Sequence, residues 1–203
     1  MSGQASNARE HSISRTTGET SIDIRLKLDG QGQVEVTTGV PFLDHMVDAL
    51  GRHGRLDIDL RATGDAAMDP HHTVEDTGIL VGQALKAVLG ERKGIERYGY
   101  AYAPLDEALA RVVIDCSGRP FLDYNADMPE AVIGLDFAAS LVEEFWRSVA
   151  MNAGLTMHID LLRARNSHHA AEAIFKAAAV ALRNAVRQTG LSDTVPSTKG
   201  VLA

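Results

Sequence analysis

The sequence predicts an α+β fold in which one unit, strand–strand–helix–strand–helix, occurs twice. Three observations predict it. The phrase H-H-x-x-E occurs at His71, His72 and Glu75 and again at His168, His169 and Glu172, 97 positions apart in a chain of 203. Alternating and helical hydrophobic periods run in the same order around both copies. The helices preceding the copies also correspond, F-L-D-H-M-V-D-A-L against S-L-V-E-E-F-W-R-S-V, which sets His45 opposite Glu144. Two sheets with helices packed on them satisfy that plan.

Residues 1–12 are polar and patternless and are expected to be a disordered or expression-related tail. The first repeat then spans 13–92 and the second 93–203, together making one catalytic unit. From Ile13 to Leu28 apolar and polar residues alternate, as in S-I-D-I-R-L-K-L, predicting one half-buried strand with Glu19 at or near its start. D-G-Q-G at 29–32 reads as a turn, after which Q-V-E-V-T-T returns as a second strand. Pro41 suits the first turn of a helix whose apolar face carries Phe42, Met46, Ala49 and Leu50, with Gly51 or Gly54 as its stop. R-L-D-I-D-L-R-A is a third strand. A-T-G-D-A-A-M-D-P is a loop delivering the first H-H-x-x-E, followed by a helix over Thr73–Leu89 with Ile79, Leu80, Gln83, Ala84, Ala87 and Val88 at amphipathic spacing.

E-R-K-G-I-E-R-Y-G is a polar, glycine-containing connector between the halves. Ala108–Cys116 and Pro120–Tyr124 read as strands around an S-G-R-P turn. A helix runs through D-F-A-A-S-L-V-E-E-F-W-R-S-V-A, a strand through G-L-T-M-H-I-D-L, and R-A-R-N-S delivers the second H-H-x-x-E into an Ala-rich helix, Ala170–Gln188. V-P-S-T-K-G-V-L is a short, turn-like tail.

Composition narrows the function. A formal net charge of −7 gives no global basic field for nucleic acid or an anionic membrane. There is no apolar run long enough to span a bilayer and no signal-peptide pattern at the polar N-terminus. The single cysteine, Cys116, precludes an internal disulfide framework and lies in the apolar run V-V-I-D-C, so a buried strand thiol is expected rather than a nucleophile. A cytoplasmic protein is the expectation.

The repeated motif points to metal. On a helix, positions four apart share a face while neighbours diverge by about 100°. His71 and Glu75 can grip one ion, as can His168 and Glu172, and His72 and His169 splay away. If the halves meet about a pseudo-two-fold axis, each splayed histidine can complete the other copy's site: His71, Glu75 and His169 on one ion, His168, Glu172 and His72 on the other. His45 would join the latter and Glu144 the former. Imidazole and carboxylate ligation with open positions suits manganese, iron or zinc, and is a catalytic arrangement rather than a closed structural one. His158 falls on a strand, where a core histidine or a support to a ligand is the leading reading and a ligand role the second. Cations near turns, Arg97, Arg119, Lys176 and Lys199 with Ser197 and Thr198, could hold a phosphate. Two classes of function compete on these residues beside the reading that follows: a two-metal hydrolase of a phosphate or amide, and a non-catalytic metal-binding or metal-dependent assembly module.

In order along the chain, R-T-T-G-E-T, F-L-D-H-M, D-P-H-H-T-V-E-D, R-Y-G, S-G-R-P, N-S-H-H-A-A-E-A-I-F-K-A and P-S-T-K-G-V-L resemble the imidazoleglycerol-phosphate dehydratases of histidine biosynthesis, in their monofunctional form. The resemblance covers the chain from about Ser14 to the C-terminus. It implies a duplicated fold of the ribosomal protein S5 domain 2-like kind, two Mn(2+) per active site, and a 24-subunit shell built from trimers with sites between subunits. It implies dehydration of imidazole glycerol phosphate, a small phosphate substrate with an imidazole ring, to imidazole acetol phosphate. Ligands carry over to His45, His71, His72, Glu75, His168, His169 and Glu172, and substrate contacts to Glu19, His53, Arg97, Arg119, Lys176, Ser197 and Lys199, with Thr198 beside them and His45 and His72 also facing substrate. Many members have histidine where this chain has Glu144. A carboxylate suits manganese, so Glu144 is the expected eighth ligand, with water or His158 as alternatives.

The proton lost from carbon is not beside a carbonyl, so the ring itself must help. Metal on both ring nitrogens would make it an imidazolate able to expel the neighbouring hydroxyl through a diazafulvene-like intermediate. Glu19 is the leading acid/base group, Asp106 the second, and His53 could orient or relay.

Overall fold

The computed structural model describes residues 9–64, 69–190, 194–200 and 202. Most of the tail expected at the N-terminus, and residues 65–68 of the loop expected before His71, lie outside the described residues.

The first half runs β1 (Glu10–Thr16), β2 (Thr20–Lys27), β3 (Val34–Thr37), α1 (Pro41–Gly54), β4 (Asp57–Gly64) and α2 (His71–Leu89). The second runs β5 (Tyr98–Leu105), β6 (Ala108–Asp115), β7 (Phe121–Asn125), the two-residue β8 (Val132–Ile133) and β9 (Phe137–Ala138), α3 (Ser140–Ala153), β10 (Thr156–Arg163) and α4 (Ser167–Val186). The sheets are ordered β1-β2-β4-β3 and β5-β6-β10-β7, which is one topology built twice. The fold is therefore the duplicated α+β fold expected, but each four-stranded sheet has one strand more than the periodicity suggested, and the second half adds the short β8-β9 pair.

The extra strand is the outer strand of the first hairpin in each half. The stretch read as one strand from Ile13 folds back at Thr17–Glu19, so that β1 and β2 form an antiparallel hairpin in register Thr16↔Ser21 to Glu10↔Lys27. Thr17 makes the turn: its Oγ1 accepts the N–H groups of Glu19 at 3.2 Å and Thr20 at 3.0 Å. Residues 10–12, assigned to a disordered tail, are thus in β1. In the second half, Tyr98 and Gly99 belong not to the connector but to β5, which pairs antiparallel with β6. Gly99 is required there, because a Cβ would lie 1.9 Å from the Ala181 carbonyl oxygen on α4.

Neither D-G-Q-G nor S-G-R-P closes a hairpin. β3 pairs parallel with β4, and β7 parallel with β10, while β4 and β10 pair antiparallel with β2 and β6. A parallel pair needs a crossover, and α1 and α3 supply it. The turn signal was correct and the partner was not, because the buried central position goes to β4 (burying Ile58, Leu60 and Ala62) and leaves β3 at the edge. Gly51 does not stop α1 but is buried in it; the helix ends at Gly54, capped by Arg55 in the left-handed region at φ 54°.

Helices from different halves pack together, α1 on α4 and α2 on α3, with the sheets outside them. Gly78 faces the Phe145 carbonyl and Ser148, and Gly82 faces the Val149 carbonyl and Asn152, so α2 and α3 approach closely at two successive turns. Phe145, Trp146 and Phe175 pack ring to ring at 4.9–5.2 Å between centroids beneath them. The apolar face expected for α2 is displaced: Val74, Leu80, Val81, Ala84 and Leu85 are buried, and Ala87 is exposed. Cys116 is buried as expected, just past β6, and burial pushes its thiol up to about 12. Among the described residues no helix is long and apolar enough to cross a membrane.

Gly99→Ala forces α4 away from β5 and should cost about 1–3 kcal/mol, the usual range for an overpacked interior, measured as a lowered urea midpoint. Native protein at neutral pH should resist alkylation at Cys116 and react fully once unfolded, as followed by mass spectrometry.

Candidate metal and phosphate site

Both H-H-x-x-E motifs lie inside the first turns of helices rather than in the loops before them. α2 begins at His71, whose N–H donates to Asp69 Oδ1 at 2.9 Å. α4 begins at Ser167, and Asn166 caps it by accepting from the His169 N–H at 3.1 Å. Helical geometry therefore already holds at the histidines, and the i, i+4 pairs face one another: His71 Nε2 lies 4.0 Å from Glu75 Oε2, and His168 Nε2 lies 3.4 Å from Glu172 Oε2.

The packing of α1 on α4 brings a third group to the second pair. His45 Nε2 lies 3.1 Å from Glu172 Oε2, across 127 positions of sequence. The ligand atoms of His45, His168 and Glu172 all lie within 4.8 Å of one another, the one such group among the described residues. Phe42 walls it, 5.2 Å from the His168 ring and 4.9 Å from Phe137. Glu172 also accepts from Lys176 Nζ at 2.6 Å. Burial would raise the Glu172 carboxyl, but the hydrogen bonds from Lys176 and His45 more than offset it and hold it below the usual range. Partial burial and then the Lys176 ammonium hold His53, on the last turn of α1, below the ordinary histidine value. His53, Lys176 and the triad thus share one neighbourhood.

The splayed histidines do not complete these pairs within one chain. His72 Nδ1 lies 3.7 Å from Glu19 Oε2, and His169 Nδ1 lies 2.8 Å from Glu107 Oε2. The expectation that each would reach the other copy's pair is not met inside a single chain, because the two motifs sit on α2 and α4, whose helix partners are α3 and α1. Glu144 is half-buried on α3. Among the described residues Glu144 joins no group of three or more candidate ligand atoms. His158 is neither core nor near these groups: it is exposed on the outer face of β10, 3.2 Å from Asp123 Oδ2, with the Phe121 ring 5.8 Å away. Alternation along β10 decides this, since Met157 and Ile159 take the buried side.

The turn cations converge. Arg97, Arg119, Ser197, Thr198 and Lys199 line one groove with Tyr98 and Pro196. Arg97 adopts φ 70° and spans two elements, with Nε 2.8 Å from Asp115 Oδ1 and an Nη 2.7 Å from the Pro196 carbonyl. The hydrogen bond to Asp115 raises its pKa further. Its grip on Pro196 seats the tail, whose Ser197 Oγ accepts the Lys199 N–H at 3.2 Å. Asp106 stands exposed at the β5–β6 turn, at φ 47°.

Two contributors went unread in the sequence. Asp76, the last residue of D-P-H-H-T-V-E-D, is buried and receives both Thr20 Oγ1 and the Arg15 guanidinium, tying the β1–β2 hairpin that bears Glu19 to α2. Glu107 holds His169. Asp76 was visible as an acid inside an otherwise apolar helix face; Glu107, beside Asp106 in a turn, carried no signal.

The imidazoleglycerol-phosphate dehydratase family model matches residues 38–182. A relative of that name from Thiobacillus denitrificans is 56% identical over 195 residues, covering 96% of this chain and 100% of the relative. One from Dechloromonas aromatica is 54% identical over the same length and coverage. The crystal structure of the Staphylococcus aureus imidazoleglycerol-phosphate dehydratase superposes with a TM-score of 0.81 at 43% identity, covering 89% of this chain and 99% of that one. That of Pyrococcus furiosus, in complex with (S)-C348, gives 0.81 at 36% identity, covering 94% and 100%.

Lys176→Met removes the cation beside His53, so the His53 titration followed by NMR should move up towards the ordinary histidine range. Because the folded value is depressed, the stability contributed by neutral His53 is present above about 6.5 and falls as pH drops through the folded value. In Lys176→Met that acid loss should shrink.

Proposed function

The chain belongs to the imidazoleglycerol-phosphate dehydratase family, hydro-lyases of histidine biosynthesis, and from that premise we propose that it dehydrates imidazole glycerol phosphate to imidazole acetol phosphate using two Mn(2+) ions held by its paired H-H-x-x-E motifs. Membership in a dehydratase family sets aside the hydrolase and assembly-module readings. The observation carrying the metal reading is the convergence of His45, His168 and Glu172. Two imidazoles and an ionised carboxylate meeting at one point are a donor set that fits a divalent cation.

By the duplicated plan, His71, Glu75 and Glu144 hold the second ion. His72 and His169 turn away from both groups in a single chain, which supports their donation to sites of neighbouring copies. The homo-oligomer proposed is the 24-subunit shell of trimers, in the cytoplasm. With ligand positions left open to substrate, a bound cation supplies Lewis acidity that favours loss of the ring proton.

The remaining work falls to side chains. Arg119, Lys199, Ser197 and Thr198 bind the phosphate in the groove that Arg97 braces, so that remote binding energy orients the reacting carbons. Glu19, exposed at the hairpin tip, takes the proton from the carbon bearing the second hydroxyl and gives it to the hydroxyl beside the ring, which departs as water. The resulting enol then tautomerises to the ketone. Acid/base assistance of this kind contributes about 10²–10⁴-fold. Asp106, on the equivalent hairpin of the second half, is the second candidate. Lys176 and His45 keep the Glu172 carboxylate ionised.

Glu19→Gln should retain its manganese, measured by elemental analysis, while turnover falls at least about a hundredfold; near-normal turnover sinks the assignment. Chelation should abolish ketone formation and added Mn(2+) restore it, and Lys199→Ala should raise KM far more than it lowers kcat.

A further inference from the structure

Glu107 has no place in the chemistry above, yet it occupies a duplicated position. β2 begins at Thr20, directly after Glu19, and β6 begins at Ala108, directly after Glu107. Each carboxylate stands at the tip of its half's first hairpin, and each meets the splayed histidine of its half's H-H-x-x-E motif through Nδ1. The duplication therefore includes a carboxylate–imidazole pair as well as the metal motif.

The two pairs are not equally firm. Glu19 lies 3.7 Å from His72, its side chain 56% exposed. Glu107 lies 2.8 Å from His169, and its other oxygen accepts the Arg165 N–H at 3.2 Å in the segment leading into α4. The His169 N–H is in turn held by the Asn166 cap. Glu107 thus joins hairpin tip, helix entry and imidazole. Glu19 has no such second anchor on its carboxylate among the described residues.

We propose that Glu107 is a positioning residue for His169: by engaging Nδ1 it fixes the ring and the tautomer, and leaves Nε2 as the atom offered to a cation. This rests on the reading of His169 as a metal ligand. A carboxylate on the distal nitrogen of a ligating histidine sets ring orientation and raises ligand basicity. The ancestral symmetry has been divided: one hairpin carboxylate orders a ligand, and the other stays free to act on substrate.

The test uses metal-free and Mn(2+)-titrated protein of the full chain, comparing the unmodified protein with Glu107→Ala, Glu107→Gln and His169→Ala. Unbound Mn(2+) is read by electron paramagnetic resonance. Glu107→Ala and His169→Ala should each weaken one of the two ions by roughly 10- to 100-fold and spare the other, and Glu107→Gln, which still accepts from Nδ1–H, should recover most of that loss. In metal-free protein, ring ¹⁵N shifts should report an Nδ1-protonated His169 that loses this preference in Glu107→Ala. An unchanged tautomer, unchanged Mn(2+) affinity, or equal weakening of both ions together with a lower Tm in Glu107→Ala overturns the proposal. Absence of Mn(2+) binding by the unmodified protein overturns the metal reading instead, and the ring shifts still decide whether Glu107 sets the tautomer.

Discussion

The contact between His45 and Glu172 joins the two halves of the chain at the point where the chemistry is proposed, and most of the structure can be understood as what makes it possible. It exists because α1 packs on α4 rather than on its own neighbour α2. That exchange of helices follows from duplication. Each half has two amphipathic helices on one face of a four-stranded sheet, and neither half can bury both without the other. The pseudo-symmetric partner, α2 on α3, is drawn tight by Gly78 and Gly82. A carboxylate placed at such a seam meets groups from both halves, and Glu172 is held ionised there by Lys176 on its own helix and His45 from across the seam.

The hairpins at the outer edge of each sheet do complementary work. They extend the sheets, and their tips return carboxylates to the helix starts that carry the histidines. The tethers differ between halves. In the first, buried Asp76 binds Thr20 and Arg15 beneath the tip. In the second, Ala173 replaces that acid, and the tip is held instead through Glu107 to the Arg165 backbone and His169. Two solutions to one mechanical problem leave one carboxylate exposed and the other engaged. Duplication thus preserves the frame while each copy's polar contacts diverge. The groove of Arg97, Arg119 and the tail shows the same economy. One arginine orders backbone and leaves the neighbouring hydroxyls and lysine facing open space.

Much of this was legible before folding. The spacing of H-H-x-x-E placed His71 with Glu75 and His168 with Glu172, and helix period alone guarantees such pairs. The alignment of F-L-D-H-M with L-V-E-E-F singled out His45 opposite Glu144, and His45, expected to join the second motif, lies 3.1 Å from Glu172. Hydrophobic alternation located the central strands and the buried thiol. What it missed were β1 and β5. The first was merged with its hairpin partner because the alternation ran on through the turn, and the second begins inside a polar connector and carries Tyr98, Tyr100 and Tyr102 on its exposed face.

The sequence by itself determined the family, the duplicated order of elements and the local pairs, because these depend on residue type and on spacings of a few positions. Tertiary structure decided strand partners, the exchange of helices between halves, the outward placement of His158 and the seat of Glu107. Those outcomes turn on which of several compatible surfaces buries the most apolar area, a comparison made across a hundred or more residues and invisible to any local period. The splayed histidines mark the border between the two. Their divergence from the i, i+4 face follows from helix geometry, and the carboxylates they meet follow only from how hairpins and helices pack.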